Sequence, residues 1–216
     1  MTDVSGKRAD PRTEATRIAL IDAAEALFAE KGFDAVSLRQ VGAAIGSANP
    51  TVVSYHFGSK EEFIEAIYRR RLPGIDARRA ELLAKADAEG SEPDLTKLMQ
   101  MLCLPLFELV DANGRHSYGQ FVFRMLGEGM GPDRLTGTEP VPATQELIRR
   151  IRSQLCFSAD ELDLRLQIVS AMIFEGLRIV DAPIGQVRSA EQKRRIFDDV
   201  MAMCVAALGA LVRHPQ

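Results

Sequence analysis

Between residues 49 and 60 the sequence NPTVVSYHFGSK gathers side chains suited to a phosphate-bearing partner. Read as a short helix, this segment points Val53 and Phe57, four apart, inward. Thr51, Val52, Ser54, Tyr55 and His56 then lie around its outward face. Their hydroxyl, methyl, phenol and imidazole groups suit phosphate oxygens, thymine methyls and base edges. Asn49 stands at the helix N-terminus, where free backbone N–H groups receive a phosphate. Lys60 is a cation at the start of the next helix; it opposes that helix's dipole and gains most beside an anion. Upstream, Ser37 and Arg39 share one side of the preceding helix and complete the set.

Four helix starts within the first 75 residues position these groups. Asp10-Pro11 supplies a cap and a first-turn proline, after which Ile18, Ile21, Ala24, Leu27 and Phe28 recur at three- and four-residue steps until Gly32. Residues 1–9 are polar, lack periodicity and read as a flexible tail. The second helix opens at Ser37 with a capping box to Gln40, flanked by Val36 and Val41 as a hydrophobic staple, and ends at Gly46. Leu38, Val41 and Ile45 give it a buried face. The third opens at Asn49-Pro50 and stops at Gly58; a second capping box, Ser59 and Glu62, starts the fourth, which runs to about Ala84. Two short helices joined by a glycine-containing turn form a helix-turn-helix.

The stretch from Ile18 to Ile67, with AAEALFAEKGFDAVSLRQVGAAIG followed by NPTVVSYHFGSKEEF, closely resembles the DNA-binding domain of TetR-family transcriptional regulators. Gly32-Phe33, Ser37, Arg39, Gly46, Tyr55-His56-Phe57 and Lys60 fall in the family's order. The resemblance implies a three-helix DNA-binding domain over residues 10–58, a connecting helix over 59–84, and a helical effector-binding and dimerisation domain over 85–216. It implies that Ser37 and Lys60 contact phosphates, that Tyr55 and His56 grip the backbone, and that Thr51, Val52 and Ser54 face bases. Two departures stand out: one extra turn residue among Ser47 and Ala48, and Gly42 where a small helix former is usual, costing about 1 kcal/mol of helix stability.

Beyond Gly90 and Pro93, apolar periodicity predicts helices over 94–111, 117–128, 142–155, 160–181 and 189–212, with a Gly/Pro-rich connection over 129–142. No segment shows the period-2 alternation of a strand, so the fold is all-α. Phe107, Phe121, Phe123, Met125 and Met130 read either as core or as the lining of an effector pocket. In the second reading His116, Tyr118, Arg124 and Glu175 orient the ligand, and Pro105 kinks its helix to open the cavity. The segment Val200 to Val212 is apolar on nearly every face and carries small residues; with Ile168, Ala171, Met172 and 175–179 it reads as a homodimer interface. Arg69, Arg70 and Arg71 are a basic edge or a solvated helix end.

Composition narrows the remaining classes. The net charge is −3, with ten Lys/Arg against ten Asp/Glu in residues 1–71, which argues against a non-specific nucleic-acid coat protein. The 13-residue run from Val200 to Val212 falls short of the ~20 residues of a membrane span, and no signal peptide precedes the first helix, so a cytoplasmic protein is expected. Cys103, Cys156 and Cys204 lack zinc spacing and read as reduced, buried thiols. His56, His116 and His214 have no partners at motif spacing, and no nucleophile–base pair, HExxH or phosphate loop occurs; no catalytic residue, metal or cofactor is expected. The resulting expectation is a homodimeric regulator on a palindromic operator, most simply a repressor released by a small-molecule effector. The alternative is an activator or architectural DNA-binding protein without an effector; an enzyme is disfavoured.

Overall fold

The computed structural model describes residues 11–129, 140–181 and 188–210. Among these, every regular element is a helix: α1 (Pro11–Lys31), α2 (Leu38–Ala44), α3 (Val52–Phe57), α4 (Lys60–Ala88), α5 (Leu95–Glu108), α6 (Ser117–Gly127), α7 (Pro142–Ser153), α8 (Ala159–Asp181) and α9 (Ala190–Gly209). The expected tail over residues 1–9, Met130 and most of the Gly/Pro-rich connection lie outside the described residues. So does any helix beyond Ala210, where the backbone has already turned extended and ended α9 short of the expected residue 212. The chain divides into two compact units, residues 1–67 and 68–216, and the division falls within α4.

The first unit is built on aromatic packing. Phe28 and Phe63 are fully buried, and the Phe57 ring packs tilted against Phe63 at 4.6 Å between ring centres. Phe33 lies 5.2 Å from Phe28. Each such side chain contributes about 1.5–3 kcal/mol by leaving water. Leu20, Ile21 and Ala24 carry the α1 stripe inward, whereas Ile18, expected on that stripe, is exposed. Both expected capping boxes form. Ser37 Oγ accepts the Gln40 N–H while the Gln40 side chain accepts the Ser37 N–H, and Ser59 pairs with Glu62 in the same way. Val36 and Val41 are buried as the staple requires. Lys60 Nζ donates to the Phe33 carbonyl and lies 5.9 Å from the Phe28 ring, pinning the α1–α2 turn to the start of α4.

Gly42 has a packing reason. A Cβ placed there would lie 2.9 Å from Val52 Cγ1, so the missing side chain is the groove into which α3 sets its first residue.

In the second unit α8 packs along both α6 and α9, with Phe121, Met125, Leu177, Met201 and Leu208 fully buried between helices. Two further capping boxes, Ser158–Glu161 and Ser189–Gln192, start α8 and α9. Cys103 and Cys204 are buried, and burial pushes their thiols up to about 12 and about 11; Cys156, expected to be buried too, is exposed. Arg69, Arg70 and Arg71 are half-buried within α4, which runs on to Ala88 and leaves no helix end there. Pro105 lies within the final turn of α5 and is buried.

If Gly42 exists to admit Val52, filling the groove must cost stability. Gly42→Val is expected to lower stability by about 1–3 kcal/mol in urea titrations followed by circular dichroism. Val52→Ala in the same chain should recover part of that loss.

Candidate nucleic-acid interface and an internal cavity

Helix α3 has only six residues, too few to persist without tertiary support. Val53 and Phe57 anchor it, and Val52 is buried as well, at 8% exposure. This corrects the expectation that Val52 faces outward: the helix begins with its first residue lodged against Gly42. The N-cap is Thr51, not Asn49. Asn49 instead folds its side chain over the turn, its Oδ1 accepting the Thr51 N–H at 3.0 Å and the Thr51 hydroxyl at 2.9 Å. The Ser47 hydroxyl accepts the Asn49 N–H at 3.2 Å, so the longer turn is closed by its own side chains and the helix starts two residues later than Pro50.

One residue absent from the expectation holds the other end. Arg17 of α1 donates to the His56 carbonyl at 2.5 Å and stacks its guanidinium 4.3 Å from the centre of the Phe57 ring. It is thus both a C-terminal cap and a cation–π lid on α3. Its sequence signal was position alone, an arginine one residue before the α1 apolar stripe.

The remaining expected groups are displayed rather than packed. Tyr55 is 80% exposed, and Ser37, Arg39, Asn49, Thr51 and Ser54 are exposed. His56 is half-buried with its ring edge-on to Tyr55 at 5.1 Å. Partial burial lowers the His56 pKa from its ordinary 6.5, and the charge of Arg17 lowers it further, so the imidazole is neutral at pH 7. Lys60 is half-buried through its bond to Phe33, which engages one of its three N–H donors. The result is a hydroxyl- and phenol-bearing surface on a braced short helix, with Arg39 exposed on α2.

The second unit contains a cavity of about 200 Å³ between α4, α5, α6 and α7. Of the side chains expected to line an effector pocket, Tyr118 and Phe123 border it; Phe107, His116, Phe121, Arg124, Met125 and Glu175 do not. The cause is a rotation of α6. Tyr118, Val122 and Leu126, at four-residue steps, face the cavity, while Phe121 and Met125 fill the core on the neighbouring face. Phe107 is stacked between His116 at 4.7 Å and Phe197 at 4.4 Å. His116 Nδ1 is 2.7 Å from Asp181 Oδ1, and Asp181 also accepts the His116 N–H and the Gln120 amide, a buried polar junction. Arg124 lies over Phe174, and Glu175 is exposed and paired with Arg178. Pro105 does not border the cavity.

Sequence reasoning missed the cavity's polar wall. Arg79 of α4 is 6% exposed and continues the apolar stripe of Tyr68, Leu72 and Ile75. A charged residue in register with such a stripe was the available signal. Its Nε and Nη2 donate to the Leu102 carbonyl at 3.0 and 2.6 Å, and its Nη1 donates to Thr144 Oγ1 at 2.8 Å. Asp76, also buried, caps α7 by accepting the Ala143 and Thr144 N–H groups and the Thr144 hydroxyl.

Residues 20–67 match the family model of the bacterial regulatory proteins, tetR family. No curated protein matches the sequence. Among solved structures, the chain is similar to the TetR family transcriptional regulator PfmR from Thermus thermophilus, at 20% identity over 90% of this chain and 99% of that one, with a TM-score of 0.43. A TetR-family regulator from Streptomyces coelicolor is 18% identical over 92% and 99%, with a TM-score of 0.38. GusR from Salmonella enterica is 17% identical over 91% and 96%, with a TM-score of 0.41. The likeness to the family lies in residues 20–67.

The His56 environment has a measurable consequence. An NMR titration of its ring should give a midpoint below 6.5, and Arg17→Gln should move it part of the way back up. Because the folded pKa is depressed, the associated stability is present above pH 6.5 and lost as pH falls through the folded value.

Proposed function

We propose, for a chain that belongs through residues 20–67 to the TetR family of bacterial regulatory proteins, that a cytoplasmic homodimer reads a palindromic operator and represses until a small molecule releases it. DNA binding and transcriptional regulation are the family's activity; the repressing sign, the dimer and the release are this reading's additions. The observation that carries it is the contrast within α3, where Val52, Val53 and Phe57 are buried and Tyr55 projects almost wholly into solvent. Beyond its edge contact with the His56 ring, a large phenol at that exposure gains little from its own fold. It gains contact area and a hydrogen bond when a sugar–phosphate backbone lies against it.

In this reading Tyr55, His56 and Lys60 hold the backbone, with Ser37 and Arg39 as further phosphate contacts. Thr51 and Ser54 face base edges, and Asn49 lies beside them at the turn. Val52 has no part in base contact and serves only as an anchor. Lys60 keeps its bond to Phe33 and offers its remaining N–H groups to phosphate. Two copies present two such helices, matched to half-sites about one DNA turn apart.

The apolar surface of the last two long helices supports self-association. Leu164, Ile168 and Ala171 recur along one side of α8, with Leu164 60% and Ile168 53% exposed. On α9, Met203 is 54% exposed and Ala202 and Ala206 are exposed beside it. Large apolar groups grouped in this way mark an interface, and a two-fold axis lets the same patch serve both partners. The cavity in the second unit supports an effector, whose binding shifts DNA affinity only if it prefers one conformation of the protein.

Tyr55→Ala is expected to weaken retention of selected genomic DNA fragments in a gel shift by roughly ten- to a hundredfold, about 1.4–3 kcal/mol, with circular dichroism unchanged. Full retention would remove Tyr55 from the interface. Ile168→Glu should convert a two-chain particle to a single chain in sedimentation velocity, and the same mass for both proteins would place any interface elsewhere.

A further inference from the structure

The wall of the second unit's cavity specifies a ligand chemistry, an inference that rests on reading this unit as the effector-binding one. Arg79 is a buried cation whose Nε/Nη2 edge is taken by the Leu102 carbonyl. Of its five N–H donors, one on each terminal nitrogen has no acceptor among the described residues. It makes no ion pair there either. Asp76 makes no hydrogen bond to it; Thr144 Oγ1 stands between them, donating to Asp76 at 2.6 Å and accepting from Arg79 at 2.8 Å, and the carboxylate charge favours the guanidinium only from beyond that hydroxyl. Asp76 is already committed to the N-terminal N–H groups of α7, a partial positive charge that its carboxylate complements.

The other groups beside Arg79 do not balance it. Tyr118 donates its hydroxyl to the Tyr68 carbonyl. Burial raises the pKa values of the Tyr68 hydroxyl and the Cys103 thiol, so both are neutral at pH 7. A buried guanidinium with two open donors and no paired carboxylate is costly in a low-dielectric site unless an anion arrives. Most of the remaining wall is aliphatic, with the rings of Tyr68, Tyr118 and Phe123 and the side chain of Gln145 among it, and the volume of about 200 Å³ exceeds the ~150 Å³ that takes up benzene in an engineered protein cavity.

We propose that this cavity takes a small monocarboxylate with an apolar body, about ten non-hydrogen atoms in all, whose carboxylate accepts the two open N–H groups of Arg79 while its tail lies along Leu72, Ile75, Val122 and Leu126. A guanidinium edge engages both carboxylate oxygens at once. A neutral amide of the same shape forfeits the charge and half of the acceptor geometry.

Titration calorimetry on the intact protein with octanoate and with octanamide tests this. Octanoate is expected to bind one per chain, octanamide at least tenfold more weakly, and Arg79→Gln is expected to abolish the preference. Leu126→Phe, which fills the tail region and leaves Arg79 in place, should weaken both ligands and keeps the test decisive where Arg79→Gln does not fold. Equal affinity for acid and amide, no octanoate binding at millimolar concentration, or undiminished binding to Leu126→Phe would each overturn the assignment. Gel shifts of selected DNA fragments without ligand separate the two readings. DNA retention without octanoate binding sinks the carboxylate site alone; octanoate binding without DNA retention leaves the site and sinks the regulator.

Discussion

The docking of α3 is the constraint on which the first unit depends. Six residues cannot hold a helix by backbone hydrogen bonding alone. Three neighbours supply what the sequence of α3 lacks. Val52 fills the groove at Gly42, Phe57 packs against Phe63, and Arg17 caps the His56 carbonyl while covering the Phe57 ring. Half of the side chains are consumed in fixing the helix. Those left over, Ser54 and Tyr55 above all, are held rigidly outward, and a rigid display loses less freedom on binding than a floppy one.

The second unit solves a different problem. Apolar helices pack in several registers of similar energy, and buried polar links select among them. Asp76 joins α4 to the start of α7, Arg79 joins α4 to α5 and α7, and Asp181 joins α8 to the His116 backbone and ring ahead of α6. Each link satisfies groups that would otherwise be buried without partners, a cost of about 1–3 kcal/mol apiece. The cavity lies where two of these links meet, which explains why its polar wall is charged although most of its remaining surface is apolar.

The same two links limit how the unit can respond to a ligand. An anion at Arg79 draws on donors that no helix contact uses, so it leaves the Leu102 and Thr144 bonds intact. Binding energy then goes into pairing a buried charge that has no carboxylate in direct contact, and the effect on DNA affinity is set by how differently the protein's conformations present that charge.

Local chemistry settled a great deal in advance. The helix starts at Ser37, Ser59 and Ser189, the staple of Val36 and Val41, and the inward pair Val53 and Phe57 all follow from caps and periodicity acting over three or four residues. The match of residues 20–67 to one family followed from the same short-range signals. Contacts distant in the chain decided the rest. Val52 is an anchor because Gly42, ten positions earlier, leaves room for it, and Asn49 is a turn residue because Ser47 and Thr51 complete its hydrogen bonds. The cavity lies beside Tyr118 and Val122 instead of Phe121 and Met125 because α8 claims the other face of α6. A helical stripe states which side chains are apolar; only the neighbours that arrive in the folded chain decide which of two adjacent faces is filled and which is left hollow.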